Sequence, residues 1–92
     1  MNNCVYILLC RNNRYYVGST ADLVMRLKKH IFGNVIATKY LRPLMLVFHQ
    51  TFPTLMEARK MEKWIKKNKD RKLIERIIKD MEIKKLFPRA VR

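Results

Sequence analysis

The hydrophobic pattern near the start of the chain predicts a β-hairpin. Residues 3–10 are rich in β-forming side chains and are apolar on both alternating faces, which is typical of a central strand. A polar, turn-like stretch follows at residues 11–14. Residues 15–17 then resume the β character, and we expect this second strand to stop at Gly18. Two short β runs joined by such a link indicate antiparallel neighbours.

Apolar residues recur at helical spacing in three later segments, and each segment begins with a capping pattern. In the first, Ser19 followed by Asp22 fits a capping box, and the helix is expected to run to about Phe32. In the second, Thr54 begins a further capping box. The apolar face of the second helix consists of Leu55, Ala58, Met61 and Ile65. Residues 68–70 can cap the third helix. Its apolar stripe consists of Leu73, Ile74, Ile77, Ile78 and Met81.

Residues 44–51 predict a third strand, which is bounded by Pro43 and Pro53. The predicted order is therefore ββαβαα. It indicates an α+β fold in which helices flank a three-stranded antiparallel sheet. Since 92 residues leave room for one core, we expect a single domain over residues 1–92, with its core at about 3–80 and a basic C-terminal tail at 81–92.

The charge of the chain points to a polyanionic partner. The formal net charge is +14, and the basic residues occur in both halves: seven Lys or Arg against one acid in residues 1–50, and fourteen against six in residues 51–92. Nucleic acid is the partner this charge favours, ahead of an anionic membrane surface or an acidic protein. The longest apolar run is strand-sized and the first residues lack a basic region, so we expect no membrane span and no signal peptide.

The two cysteines do not predict a disulfide. Cys4 and Cys10 are six residues apart in one predicted strand, which places them about 20 Å apart, whereas a disulfide needs Cα atoms within about 7 Å. No Cys/His cluster accompanies them, so they do not predict a zinc site either. A reducing, cytoplasmic location fits best.

Four polar or aromatic residues are candidates for a shared site on the predicted hairpin and first helix. Tyr6 and Tyr16 lie on adjacent strands, where they could converge on one face or form a stabilising cross-strand pair. Arg26 and His30 are one helical turn apart. They could present a phosphate clamp beside a proton carrier. Alternatively, Arg26 could form an exposed ion pair with Asp22 while His30 remains solvated.

Glu62 differs from the other glutamate of the second helix. The capping box accounts for Glu57, whereas Glu62 falls inside the apolar arc of the helical wheel. A carboxylate directed towards a core needs a partner or a metal ion. Lys66, four residues on, is the alternative explanation, because a Glu-to-Lys pair at this spacing is favourable. His49 is interpreted as a structural residue. Trp64 could stack on a base or pack against the third helix, and packing is the favoured interpretation.

These residues and their spacing resemble the GIY-YIG nuclease superfamily. Cys4-Val5-Tyr6 and Tyr16-Val17-Gly18 resemble its two tripeptides, although Cys4 replaces a glycine. Residues 22–30 resemble its first helix, with Arg26 and His30, and residues 58–67 resemble the helix that carries its metal-binding Glu, here Glu62. The resemblance covers about residues 3–80 and is strongest to the small stand-alone bacterial proteins. It extends to the catalytic modules of Slx-type and UvrC nucleases.

The resemblance implies a metal-dependent DNA endonuclease that holds one divalent ion, Mg²⁺ or Mn²⁺, on Glu62. Arg26 would stabilise charge on the phosphate, Tyr6 assisted by His30 would activate water, and Tyr16 would position the water or the phosphate. Cationic surroundings are expected to depress the pKa of Tyr6. The expected phosphate contacts are Lys28, Lys29, Lys39, Arg42, Lys60, Lys63, Lys66 and Lys67.

The resemblance implies one functional alternative, and the residues themselves indicate two more. A structure-selective or weakly specific endonuclease acting on DNA, for instance in DNA repair, uses the whole candidate set. A non-catalytic nucleic-acid-binding module needs only the basic face and the aromatic side chains. An adaptor for anionic membranes or proteins needs only the charge. The enzyme is preferred because simple phosphate binding does not require an acidic residue at the site. A second protein that activates so small a domain is a further partner to consider.

Overall fold

The computed structural model describes residues 3–68 and 70–83. Its strands are β1 (Cys4–Leu9), β2 (Tyr15–Thr20) and β3 (Met45–Thr51), and its helices are α1 (Leu23–Ile31), α2 (Leu55–Lys67) and α3 (Arg71–Asp80). A short 3-10 turn, Lys39–Leu41, lies between α1 and β3. The predicted α+β class and ββαβαα order are confirmed. The predicted basic tail lies, after Ile83, outside the described residues, as do residues 1–2 and Lys69.

The three strands form one antiparallel sheet in the order β2-β1-β3, so β1 is central, as its uniformly apolar sequence predicts. Tyr6 of β1 lies between Gly18 of β2 and His49 of β3. We expected the second strand to stop at Gly18, but it pairs with β1 as far as Thr20. A glycine therefore lies inside a strand, and its contact with Tyr6 explains why.

Side chains of the predicted kind cap all three helices. Thr54 accepts the backbone N–H of Glu57 at 3.1 Å, and Asp70 accepts that of Lys72 at 3.0 Å. The prediction was wrong for α1, because β2 continues through Ser19 and the helix starts later. Asp22 is the N-cap of α1 and accepts the backbone N–H of Met25 at 3.1 Å.

The main core lies on the face of the sheet covered by α2 and α3. Alternate residues of β1 point to this face, since side chains of a strand alternate. Trp64 is partly buried and packs against this core. Met81 was wrongly placed in the apolar stripe of α3, because it follows the last turn with φ of 59° and is exposed. The buried members of the core are Val5, Ile7, Val17, Phe48, Ala58, Met61, Ile65, Ile74, Ile77 and Ile83.

The opposite face of β1 carries Cys4, Tyr6 and Leu8, all of them buried. Here α1 contributes His30, its one buried residue. Cys4 and Cys10 are both free thiols, as predicted. Within residues 3–68 and 70–83, none of the helices has the length and apolar character that crossing a membrane requires.

Candidate active site

Tyr6 lies at the centre of the candidate site and is completely buried. Its ring occupies the space in front of Gly18 on the neighbouring strand. A Cβ atom at position 18 would lie 2.5 Å from the phenolic oxygen of Tyr6 and 2.6 Å from its Cζ. No side chain larger than hydrogen fits there without moving the phenol. The last residue of the second tripeptide is therefore a glycine because Tyr6 needs the room.

Helix α1 brings Arg26 and His30 to the same phenol. The Nε–H of Arg26 donates to the oxygen of Tyr6 at 3.2 Å, and His30 Nε2 lies 2.9 Å from that oxygen. The candidate cluster predicted from spacing is therefore assembled in space. The alternative of a solvated His30 is wrong, since its exposed fraction is 1%. The carboxylate of Asp22 caps α1, and the side chain of Arg26 contacts Tyr6 instead of forming the alternative ion pair with Asp22.

Tyr16 completes the aromatic part of the cluster. Its ring centroid lies 6.3 Å from that of Tyr6 and 5.1 Å from that of His30. Hydrogen bonding to Tyr6 first, and to Tyr16 as well, raises the pKa of Arg26. The two tyrosines therefore converge on one face of the hairpin, around one guanidinium group.

Burial holds the side chains of Tyr6 and His30 in their neutral forms. Desolvation raises the pKa of Tyr6 to about 12, although the hydrogen bond from Arg26 acts in the opposite direction. Desolvation, reinforced by the charge of Arg26, lowers the pKa of His30 to about 4. Arg26 acts to lower the pKa of Tyr6, as expected of a cation, but burial outweighs it and the net shift is upward. At neutral pH the phenol carries its proton and the imidazole is uncharged.

The low pKa of His30 predicts a loss of stability on acidification. The unfolded chain binds a proton at a pKa near 6.5, while folded His30 does so at about 4. The contribution of His30 to the free energy of unfolding is complete above pH 6.5 and decreases as the pH drops towards 4. The total loss is about 3 kcal/mol. Urea unfolding of wild type and His30→Gln between pH 7.5 and 4 measures it.

The wild type should lose more free energy of unfolding over this range than His30→Gln, since the carboxylates titrate in both proteins. His49→Gln is the matched control, because His49 is exposed on β3. Equal pH dependence in all three proteins would contradict the burial of a neutral His30.

The sequence analysis missed the second partner of His30. Thr38 Oγ1 lies 2.7 Å from His30 Nδ1, and Thr38 is fully buried. It belongs to the loop between α1 and β3, which has no regular hydrophobic period. No capping pattern or helical spacing in the sequence indicates that its hydroxyl reaches His30.

Glu62 lies on α2, which packs on β2. Its carboxylate accepts the hydroxyl of Ser19 and forms an ion pair with Lys66 at 2.6 Å. The Lys66 ammonium also lies 5.8 Å from the ring centroid of Tyr16, so it links Glu62 to the aromatic cluster. The predicted Glu62–Lys66 pair is confirmed, and Ser19 is a partner that the sequence analysis used only as a cap.

The donor set around Glu62 fits a divalent ion that takes most of its ligands from water and phosphate. Over the described part of the chain, no group of three or more His, Cys, Asp or Glu side chains could enclose a metal. A single half-buried carboxylate suits Mg²⁺ or Mn²⁺, which keep several waters and use one or two carboxylates plus substrate oxygens. Lys66 occupies the same carboxylate, so a bound cation would compete with its ammonium.

The predicted phosphate contacts are all exposed: Lys28, Lys29, Lys39, Arg42, Lys60, Lys63, Lys66 and Lys67. Arg42 differs from the lysines because its guanidinium also donates to two backbone carbonyls, those of Lys39 at 2.9 Å and Ile31 at 3.2 Å. It therefore braces the loop after α1. The remaining cations carry no comparable set of backbone contacts in the described structure.

Comparisons with known proteins find similar sequences and a similar fold. Residues 2–75 match the family described as the GIY-YIG catalytic domain. The UPF0213 protein YazA of Bacillus subtilis is 39% identical over 67 residues, 72% of this chain and 68% of that protein. A UPF0213 protein of Listeria welshimeri is 41% identical over 76 residues, 77% and 84% of the two chains. The solution NMR structure of the UPF0213 protein BH0048 from Bacillus halodurans is similar, with a TM-score of 0.55 and 36% identity over 86% of this chain and 84% of that one.

Proposed function

Because the chain belongs to the GIY-YIG family, a nuclease family, we propose that it is a metal-dependent endonuclease that hydrolyses phosphodiester bonds of DNA. The resemblance drawn from the sequence is confirmed at the level of the family. The observation that carries the proposal is the buried contact of Tyr6 with Arg26 and His30, beside a carboxylate on α2. A binding surface alone has no need to bury a neutral imidazole against a phenol.

In the proposed reaction, the phenolic oxygen of Tyr6 accepts a proton from the attacking water while Tyr6 passes its own proton to His30 Nε2. This relay avoids a free phenolate, which a pKa of about 12 makes rare at neutral pH. The water oxygen forms a bond to phosphorus, a bridging P–O bond breaks, and the leaving oxygen takes a proton from solvent. A bound phosphate raises the proton affinity of His30, since its negative charge offsets that of Arg26.

Arg26 and Tyr16 act on the phosphate itself. A guanidinium that donates to the oxygen of Tyr6 can also contact a phosphate oxygen, because it has five N–H donors in a fixed fork. Arg26 uses its Nε–H on Tyr6, and its terminal N–H groups stabilise the negative charge that develops on the phosphate. Tyr16, whose ring also contacts that of His30, positions the water or the scissile phosphate.

Glu62 is the residue proposed to hold the divalent ion, Mg²⁺ or Mn²⁺. When bound, such an ion polarises the phosphoryl group and neutralises charge on the leaving oxygen. Ser19 keeps the carboxylate oriented through its hydroxyl bond. A cation held by Glu62 would compete with the ammonium of Lys66, which could then contact the DNA backbone. We propose the cytoplasm as the location, because a reducing compartment suits the two free thiols.

A cleavage assay on a panel of DNA structures tests the proposal. Labelled flap, nicked, single-stranded and duplex DNA, with RNA counterparts, are each incubated with Mg²⁺, with Mn²⁺ or with EDTA. We expect DNA cleavage only with the metal, and a preference among DNA structures, since contacts to backbone phosphates carry no sequence information. Salt-sensitive binding to DNA with no cleavage under any condition would instead favour a non-catalytic binding module.

The lysines of α1 should contribute to DNA binding without sequence preference. Lys28→Ala combined with Lys29→Ala should weaken binding similarly for all sequences, and should reduce the slope of log affinity against log salt by about two, roughly one per phosphate contact. The matched control is Lys72→Ala with Lys79→Ala, which removes two exposed charges from α3. Equal slopes for the two double variants would show that only total charge matters. Fluorescence anisotropy at several salt concentrations measures the slopes.

A further inference from the structure

We infer that Thr38 is a positioning residue, whose hydroxyl accepts the Nδ1–H of His30 and so keeps His30 Nε2 free to accept the proton of Tyr6; this inference rests on the proposed function. Neither the spacing of the chain nor the family's tripeptides identifies Thr38. Among the described residues, His30 and Thr38 are the two buried polar or charged ones, and the exposed fraction of Thr38 is 0%.

The placement of the hydroxyl shows that it serves His30 in preference to the local backbone. Thr38 is the N-cap of the turn Lys39–Leu41, a position where Thr usually accepts a backbone N–H. Its side chain forms no such capping bond here. The oxygen instead lies 2.7 Å from His30 Nδ1, eight residues earlier in the chain.

The hydrogen bonds around His30 are consistent with one arrangement of protons. Arg26 can only donate, so the oxygen of Tyr6 accepts from it. The buried phenol must then donate its own proton, and His30 Nε2 is the acceptor at 2.9 Å. A neutral imidazole that accepts at Nε2 carries its proton on Nδ1. Thr38 Oγ1 is the acceptor within reach of that proton.

The loop that carries Thr38 is braced against the rest of the protein. Arg11 donates to the carbonyls of Arg42 at 2.9 Å and Tyr40 at 3.0 Å, and its backbone N–H donates to Leu41 at 2.9 Å. Arg42 in turn holds the carbonyl of Ile31 at the end of α1. Thr38 is therefore fixed relative to both His30 and the hairpin, which is the requirement for a residue that orients another one.

Without this hydroxyl, the opposite tautomer of His30 would place a proton on Nε2, facing Tyr6. Such an imidazole cannot accept the phenolic proton, and the relay stops. Removal of a group that orients a ligand or catalytic His costs from about tenfold to about 10⁴-fold. We expect a loss of about a hundredfold in kcat for Thr38→Val, with KM unchanged, because Thr38 does not lie on the exposed binding surface.

The first test is NMR of the imidazole nitrogens in the full chain, since the nitrogen shifts report which nitrogen carries the proton. Only two histidines are present, and His49→Gln assigns the signals. We expect wild type and Thr38→Ser to show the Nδ1–H form of His30, and Thr38→Val to show a substantial Nε2–H fraction. Thr38→Ala is the second variant, used if the Val variant does not fold. An unchanged tautomer in the folded variant overturns the inference.

The second test is single-turnover cleavage with the same proteins. A hundredfold loss in Thr38→Val that Thr38→Ser restores supports the inference. A shifted tautomer with undiminished cleavage overturns it. If the wild type cleaves none of the substrates, the proposed nuclease function fails, and the NMR result still decides whether Thr38 orients His30.

Discussion

Glu62→Gln should abolish metal-dependent cleavage and leave the fold intact. The amide keeps the size of the side chain and can still accept the Ser19 hydroxyl, but it loses the negative charge that we propose to hold a divalent ion. Since a bound metal contributes several kcal/mol to transition-state stabilisation, and 1.4 kcal/mol is a factor of ten in rate, we expect a loss of about a thousandfold or more. Cleavage of the preferred DNA structure in Mg²⁺ measures it.

The same substitution removes the Glu62–Lys66 ion pair, so the control must remove a comparable pair elsewhere. Glu75→Gln does this, because Glu75 pairs with Arg71 one turn away on α3, at 3.1 Å. Both variants should unfold in urea within about 0.5 kcal/mol of wild type, as expected for i,i+4 pairs. If Glu62→Gln cleaves as fast as Glu75→Gln, then Glu62 does not hold the metal ion.

Tyr6→Phe should lower kcat by about a thousandfold, because a positioned acid or base typically contributes 10² to 10⁴. The ring keeps its packing against Gly18, while the oxygen that joins Arg26 to His30 is lost. Two buried donor or acceptor groups then lack their partner, which costs about 1–3 kcal/mol of stability each at most. Single-turnover cleavage and urea unfolding separate the two effects.

Tyr15→Phe is the matched control for this change. Tyr15 lies in the same hairpin but packs against the main core, with the guanidinium of Arg71 4.7 Å from its ring centroid. We expect Tyr15→Phe to cleave at the wild-type rate and Tyr6→Phe to bind DNA normally without cutting it. Wild-type cleavage by Tyr6→Phe would remove the phenolic oxygen from the proposed mechanism.

The elements of the fold could be predicted because their signals are local. A strand apolar on both faces indicates a central position, and β1 is the middle strand. Thr54 and Asp70 cap their helices as their types and positions suggest. Ser19 has the same local signal, but pairing with β1 and the bond to Glu62 engage it in tertiary contacts. A cap prediction fails where a long-range partner competes for the same hydroxyl.

The candidate site was predictable where spacing fixes geometry. Arg26 and His30 share a face of α1 because they are one turn apart, and Tyr6 and Tyr16 share the hairpin. Thr38 reaches His30 through a loop whose path depends on Arg11 and Arg42, so no periodicity predicts it. The net rise in the pKa of Tyr6 could not be predicted either, because the degree of burial is a property of the assembled fold.

The alternation of side chains along β1 also bears on how the chain selects its strand pairing. Every residue from Cys4 to Leu9 other than Tyr6 is purely apolar or a thiol, so hydrophobicity alone does not distinguish the native register from one shifted by a single residue. Such a shift would turn Tyr6 into the core and bring Ile7 to face His30. The phenol would lose its hydrogen bonds to Arg26 and His30, which would lower the stability of the misaligned sheet. The polar cluster therefore also favours the native register of the sheet. A chain that pairs its strands incorrectly does not assemble the site, and a chain with an assembled site has paired them correctly.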